Sequence, residues 1–129
     1  MSTTITFDPA KGPVTIEITS GHGTMGVFLL AYRREQLGEP YQEFGTDPKA
    51  IHDDIPDDHL IPIEPDELAD HSLLVVGKYR PAYGRKQINV TYRFFQDHGE
   101  IHTTSIKKIL PDSEEFMRFR HRYRFKAAQ

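Results

Sequence analysis

Residues 117–126 read M-R-F-R-H-R-Y-R-F-K, a strict alternation of ring-bearing or apolar side chains with cations. In an extended strand, neighbouring side chains point to opposite faces, whereas a helix would spread these cations around its circumference. The segment therefore predicts a half-buried β-strand. The five cations that would share its polar face are Arg118, Arg120, Arg122, Arg124 and Lys126.

Strand signals recur along the rest of the chain, separated by turn residues. Residues 14–19 alternate apolar with polar side chains, and residues 97–99 (D-H-G) are a tight hairpin signal. Residues 27–34 are apolar on both faces, which predicts a central strand. Residues 35–58 are a long polar stretch, expected to be a functional loop or to contain a short edge strand. We predict an all-β fold in one domain (residues 1–129): an antiparallel β-sandwich, jelly-roll or immunoglobulin/C2-like, with about eight strands and a long acidic loop.

Residues 21–26, G-H-G-T-M-G, match the G-x-G-x-x-G pattern of dinucleotide-binding loops. That motif needs a buried parallel strand before it and a helix after it. The preceding strand instead alternates, with Thr15, Glu17 and Thr19 on its polar face. No alternation of strands with amphipathic helices follows. The sequence therefore favours a β-hairpin turn over a nucleotide site.

Charge is distributed unevenly along the chain. The formal net charge is −3, but residues 1–46 carry −2, residues 47–77 carry −8 and residues 78–129 carry +7. There are no cysteines, which excludes disulfides and thiolate metal sites. No stretch is long and apolar enough for a transmembrane segment, and the N-terminus does not resemble a secretory signal, so a cytoplasmic protein is expected. A pI near 6.1 and the lack of a known signature argue against nucleic acid as a partner.

The candidate metal site is residues 52–59, an almost palindromic acidic segment that reads H-D-D-I-P-D-D-H. Closely spaced aspartates on a flexible loop suit Ca²⁺, and histidines suit Zn²⁺, but the spacing matches no EF-hand. We favour a solvated acidic segment that pairs with the basic C-terminal surface, in the same or a neighbouring copy. The alternative is a site for a divalent cation such as calcium, and no other cofactor is expected. Its candidate ligands are His52, Asp53, Asp54, Asp57, Asp58 and His59.

Three uses of the cationic strand remain open. It could recognise an external anion, meet the acidic segment of another copy, or protect a sheet edge from aggregation. Five residues elsewhere could extend the cationic patch: Arg80, Arg85, Lys86, Lys107 and Lys108.

From these observations we predict a non-enzymatic binding or assembly module. It would self-associate as a homo-oligomer, or dock a protein partner, through the cationic strand and the acidic central segment (residues 47–77). The alternative is a divalent-cation-dependent domain that binds a glycan or an anionic lipid head group. An acidic loop beside a basic strand resembles calcium-dependent C2 and lectin sandwiches, in architecture only. A small enzyme using histidine and aspartate ranks third, because no spacing of His98, His102 or His121 calls for catalysis.

Overall fold

The computed structural model describes residues 2–21, 24–36, 38–51, 57–81 and 86–129, and these form an all-β fold of two sheets. The strands are β1 (Ser2–Phe7), β2 (Val14–Ser20), β3 (Thr24–Arg34), β4 (Gln42–Ile51), β5 (Asp57–Leu60), β6 (His71–Pro81), β7 (Gln87–Gln96), β8 (Gly99–Ile109) and β9 (Met117–Ala127). A short 3₁₀ helix, Leu68–Asp70, precedes β6. No helix in these described ranges is long and apolar enough to cross a membrane.

The two sheets have the strand orders β1-β9-β6-β3-β4 and β5-β2-β7-β8. We call them the five-stranded and the four-stranded sheet. The predicted two-sheet, all-β architecture is therefore present, and β3 lies between two strands as its doubly apolar pattern predicts. One pair departs from the antiparallel prediction, because β1 runs parallel to β9.

Two local predictions need correction. The 35–58 stretch contains the ten-residue edge strand β4, which is longer than the short edge strand that its polar sequence suggested. The glycine-rich connection at 21–26 is not a hairpin turn, because β2 and β3 belong to different sheets. Gly21 directly follows the end of β2, and its backbone N–H donates to the Asn89 carbonyl, while β3 begins at Thr24. The chain uses this connection to cross between the sheets.

The hairpin signal at residues 97–99 is confirmed. Asp97 and His98 have φ values of 49° and 66° between β7 and β8. Two successive positive φ values are characteristic of the type I′ turn, whose twist matches that of the strands it connects.

The core lies between the sheets and is rich in rings. Strand alternation sends one residue in two inward, so β7 buries Tyr92 and Phe94 completely. Tyr92 stacks on Phe119 of the opposite sheet, with ring centroids 5.0 Å apart, and Phe94 packs on Tyr123 at 4.7 Å. These contacts fix the inward face of β9 and thereby turn its cations outward.

Candidate cationic binding face

The cations of β9 lie on the outer face of the five-stranded sheet. On the inward face of β9, Tyr123 is fully buried and Met117 is 8% exposed. On its outward face, Arg118 and Arg120 are exposed to solvent. The strand and its two faces are as the sequence predicts. Whether the cations bind anything remains a prediction.

The neighbouring strands extend this face. In the β6–β9 register, Lys78 lies directly opposite Arg118, and Val76 lies opposite Arg120. The next strand, β3, brings aliphatic residues opposite these two positions of β6. The exposed cations therefore lie next to three half-buried aliphatic side chains: Val27, Leu29 and Val76. We call this surface the cationic face: Lys78, Arg80, Arg118 and Arg120 with those three aliphatic residues.

A groove of about 330 Å³ opens on the cationic face where β6 ends. Phe116 forms one wall, with the Lys78 Nζ 3.9 Å and the Arg118 guanidinium carbon 5.3 Å from its ring centroid. These cation–π contacts hold two positive charges beside an apolar surface. Met25 and Val27 supply further apolar lining, Arg80 a third cation, and Glu115 the acidic member of the lining. The groove therefore suits a ligand that is both anionic and apolar.

Two cations of the β9 row have an acidic partner within the chain. The Glu35 carboxylate lies 3.5 Å from Arg124 Nε and 3.8 Å from an Arg122 terminal nitrogen. These are ion-pair distances and are too long for good hydrogen bonds, and Glu35 Oε1 is buried without one. Among the described residues, no acid forms a corresponding ion pair with Arg118 or Arg120. One carboxylate therefore offsets part of the charge of Arg122 and Arg124, while Arg118 and Arg120 have no ion-pair partner among the described residues.

Next to Glu35 lies a second polar arrangement on the same sheet. Arg33 and Ser72 are cross-strand neighbours, and Arg33 Nε and Ser72 Oγ are both buried without a hydrogen-bond partner. The Arg33 guanidinium stacks over the Tyr41 ring at 4.4 Å. Stacking holds Arg33 in place but leaves its Nε donor unused.

The candidate metal ligands do not converge where the structure describes them. Asp57, Asp58 and His59 form most of β5, and alternation puts Asp58 on the outer face while Asp57 and His59 point the other way. His59 packs edge-on against Phe28, with ring centroids 5.3 Å apart. His52, Asp53 and Asp54 lie outside the described residues. Within the described ranges, no three histidine, aspartate or glutamate residues are placed to hold a metal ion.

The acidic central segment also lies away from the groove. Glu64, Asp66, Glu67 and Asp70 are exposed around the 3₁₀ helix that immediately precedes β6. The groove is at the far end of β6, about 35 Å away for a strand of this length. The acids of residues 64–70 therefore cannot neutralise the cations that line the groove of the same copy.

Of the residues considered as an extension of the patch, only Arg80 joins the cationic face in the described structure. Lys86 pairs with Asp112 at 2.9 Å, while Lys107 and Lys108 are on β8 of the other sheet. Arg85 lies outside the described residues.

A buried tyrosine pair is the interior feature that sequence reasoning missed. The Tyr79 and Tyr92 hydroxyls are 2.5 Å apart, and each side chain is at most 1% exposed. Room for the Tyr79 ring exists because Gly26 and Gly77 lack a Cβ, which would lie 2.0 and 2.4 Å from ring atoms. Glycine inside a strand often signals such a close approach, so Gly77, two residues before Tyr79, was the available clue.

Two further small groups of interior polar side chains are hydrogen-bonded, one around His121 and one around Thr104. His121 Nε2 lies 2.7 Å from Thr3 Oγ1, and its Nδ1 is buried without a partner. The Tyr123 hydroxyl donates to Thr104 Oγ1 at 2.9 Å, and His102 Nε2 is 3.2 Å from the same oxygen. Burial lowers the pKa of His121 and the nearby His102 lowers it further, while burial raises the pKa of Tyr123. No carboxylate hydrogen-bonds either histidine in the described residues, so the arrangement lacks the orienting acid of a general base.

Comparisons with known proteins add little. No family model matches the chain, and no curated protein matches it. One solved structure is similar: a domain of unknown function, DUF4425, from Bacteroides vulgatus. It is 9% identical, with a TM-score of 0.44, over 88% of this chain and 97% of that one. So low a similarity carries no argument about function.

Proposed function

We propose that the protein is a non-enzymatic binding module whose cationic face docks an acidic, extended segment of a partner protein. One observation carries the proposal. Lys78 and Arg118 are directly opposite each other on adjacent strands, and Arg120 follows on the same face. Like charges directly opposite one another destabilise a sheet, so this arrangement favours a ligand that brings negative charge.

The neighbouring apolar surface supports a polypeptide rather than a bare anion. The groove between Phe116, Met25 and Val27 would accept one apolar side chain, and the surrounding cations would pair with acids on either side of it. An extended peptide presents side chains alternately, so acidic and apolar residues in alternation would match both features. The proposal needs only a two-sheet sandwich, and not a jelly-roll or immunoglobulin/C2-like strand order.

A foreign partner fits better than a second copy on this face. The exposed acids of residues 64–70 lie at the opposite end of β6, so a contact between copies through them would run head to tail. Head-to-tail contacts produce rings or open filaments instead of closed dimers. Glu35 already offsets part of the charge of Arg122 and Arg124, whereas Arg118 and Arg120 contact no acid among the described residues and form a compact patch of a size suited to a short segment.

The test uses a fluorescein-labelled peptide in which glutamate and leucine alternate, with binding followed by fluorescence anisotropy. We expect saturable binding that weakens as salt is raised, because the exposed charges are screened. Arg118→Glu with Arg120→Glu should weaken binding about tenfold or more, since two contacts become repulsive. Phe116→Ala should weaken binding by removing a wall of the groove.

The control is Lys11→Glu, a single charge reversal at an exposed position between β1 and β2. It should leave the anisotropy curve unchanged. Equal binding by wild type and the double arginine variant would refute the proposal. Failure to bind the peptide, together with binding to vesicles containing anionic lipid, would refute it in favour of a lipid ligand.

A further inference from the structure

The two sheets end in four edge strands: β1 and β4 in one, and β5 and β8 in the other. An edge strand exposes unpaired backbone N–H and C=O groups, which can pair with a strand of another chain. Proteins therefore shorten, charge, bend or cover their edges. The four edges of this protein differ in how far they are protected.

Three of the edges carry such protection. β5 has four residues, two of them aspartates, and β1 has six. β4 contains Pro48, which lacks a backbone donor, and its pairing with β3 has two register shifts. Short length, charge, proline and irregular register all disfavour regular pairing with a second strand.

The edge strand β8 is less protected, because its three charged residues and its one register irregularity lie towards its two ends, at residues 100–101 and 107–108. It has eleven residues, and residues 101–106 read I-H-T-T-S-I, without proline, glycine, lysine, arginine, aspartate or glutamate. Ile109, near its end, is 70% exposed. A long edge of β-branched and hydroxyl residues is the kind of edge that another strand pairs with.

We propose that two copies of this chain pair antiparallel through β8, which would join their four-stranded sheets into one continuous sheet of eight strands. A contact of this kind uses the same surface on both copies and closes on itself, so it yields a dimer rather than a filament. The proposal uses a different surface from the cationic face and does not depend on what binds there.

Charge complementarity sets the register. Against β7, Phe94 is opposite His102 and Phe95 is opposite Glu100, so Ile101 is an extra residue in β8. Glu100 therefore lies on the outer face of the sheet, together with Thr103, Ser105 and Lys107. Its carboxylate lies 3.6 Å from Arg93 Nε of β7 in the same chain, and both side chains are about half exposed, so Glu100 would be shared between Arg93 and a cation of the second copy.

In a pairing centred on Thr104, Thr103 of one copy is opposite Ser105 of the second copy. Ile101 again counts as the extra residue, so Glu100 is opposite Lys107 of the second copy. The two-fold axis produces this pair of opposite charges twice. A shift of two residues in either direction separates them. Opposite charges across neighbouring strands stabilise the pairing, and this register is the one we propose.

The symmetry has a consequence for the cationic face. The two-fold axis of such a pairing runs perpendicular to the continuous eight-stranded sheet. The five-stranded sheets of the two copies therefore both pack on the same face of that continuous sheet. The two cationic faces would then point in the same direction and could contact one extended partner together, which raises the effective affinity.

Light scattering coupled to size-exclusion chromatography tests the dimer over a dilution series. Wild type should have the mass of a dimer at high concentration and dissociate on dilution. Glu100→Lys and Lys107→Glu should each shift dissociation to higher concentration, because each creates two repulsive pairs. An equimolar mixture of the two variants should recover the dimer, since both pairs are attractive again. Lys108→Glu is the matched control and should behave as wild type.

A cross-linking experiment tests the register directly. The chain has no cysteine, so each introduced cysteine is the only one present. Thr103→Cys and Ser105→Cys variants, both at exposed positions, are mixed and oxidised. The mixture should give a disulfide-linked dimer faster than either variant alone, because opposite residues of an antiparallel pair are within disulfide reach.

Several results would overturn the proposal. Wild type that stays monomeric up to its solubility limit excludes the dimer. If neither charge reversal weakens the dimer, the dimer uses another surface. The same conclusion holds if mixing the Glu100→Lys and Lys107→Glu variants does not restore association. Circular dichroism of each variant must match that of wild type, and a variant that is unfolded is replaced by the cysteine test.

Discussion

The buried Tyr79–Tyr92 pair allows a quantitative prediction. The two hydroxyls hydrogen-bond to each other across the core, and both side chains are almost completely excluded from water. Tyr79→Phe or Tyr92→Phe alone removes one hydroxyl and leaves the other buried without a partner. The double substitution removes both, so no orphaned polar group remains.

The expected magnitudes follow from this asymmetry. Leaving a buried hydroxyl unsatisfied costs about 1–3 kcal/mol, whereas replacing both partners by apolar groups of the same shape is nearly neutral. Each single variant should therefore lose about 1–3 kcal/mol of unfolding free energy, and the double variant less than the sum. For a chain of this length, each kcal/mol corresponds to roughly 3–4 °C in Tm.

The assay is urea unfolding of wild type, both single variants and the double variant, followed by circular dichroism. In this double-mutant cycle, the double variant should be more stable than the sum of the two single effects predicts, by a coupling energy of about 1 kcal/mol or more. Tyr32→Phe, at a half-buried position, serves as control and should change stability by less than about 0.5 kcal/mol. Additive effects of the two core substitutions would refute the reasoning, because they would mean that each hydroxyl is satisfied independently.

The same pair predicts a response to alkali. Burial raises the pKa of Tyr79 from 10.0 to about 12 and raises the pKa of Tyr92 well above its ordinary value. The unfolded chain ionises at the ordinary value, so the stability from Tyr79 is fully present below pH 10.0 and is lost as the pH rises through about 12. The contribution of Tyr92 is lost in the same direction. The double phenylalanine variant should lose less stability over that interval.

Two further predictions concern histidines. Burial lowers the pKa of His121 below 6.5, so its stabilising contribution is present above that value and is lost as the pH falls through the lower folded value. His121→Gln should therefore lose less stability on acidification than wild type, as urea midpoints measured across that range would show; parallel curves would contradict this. His98 adopts a φ of 66° in the β7–β8 turn, so His98→Gly should keep or raise Tm, while His98→Val should lose about 1–2 kcal/mol. Equal Tm values for these two variants would show that the turn tolerates a β-branched residue.

Local patterns were sufficient to predict much of the fold. The alternation of residues 117–126, the doubly apolar β3 and the D-H-G hairpin are each encoded within a few neighbouring residues. The glycine-rich connection was misjudged because the two strands it joins look the same locally whether they pair or lie in different sheets. The parallel pairing of β1 with β9 joins the two ends of the chain and has no local signature.

The candidate site was predicted only in part. The sequence identified the cations of β9 but could not show that Glu35 forms ion pairs with Arg122 and Arg124. It also could not show that Lys78 of β6 lies opposite Arg118, or that Phe116 forms a groove wall beside both. These relations depend on strand order and register, which join residues far apart in the sequence.

By itself, the sequence determined that 117–126 is a strand with five cations on one face, because alternation is a property of the extended backbone. Tertiary structure decided which of those cations keep an uncompensated charge. It also decided that β8 is a long edge with a free side. Both depend on which strands become neighbours, and that is set by packing of the shared core rather than by any local pattern. The cationic strand is therefore evident from the sequence, while the difference between the cations that contact Glu35 and those that contact no described acid exists only in the folded chain.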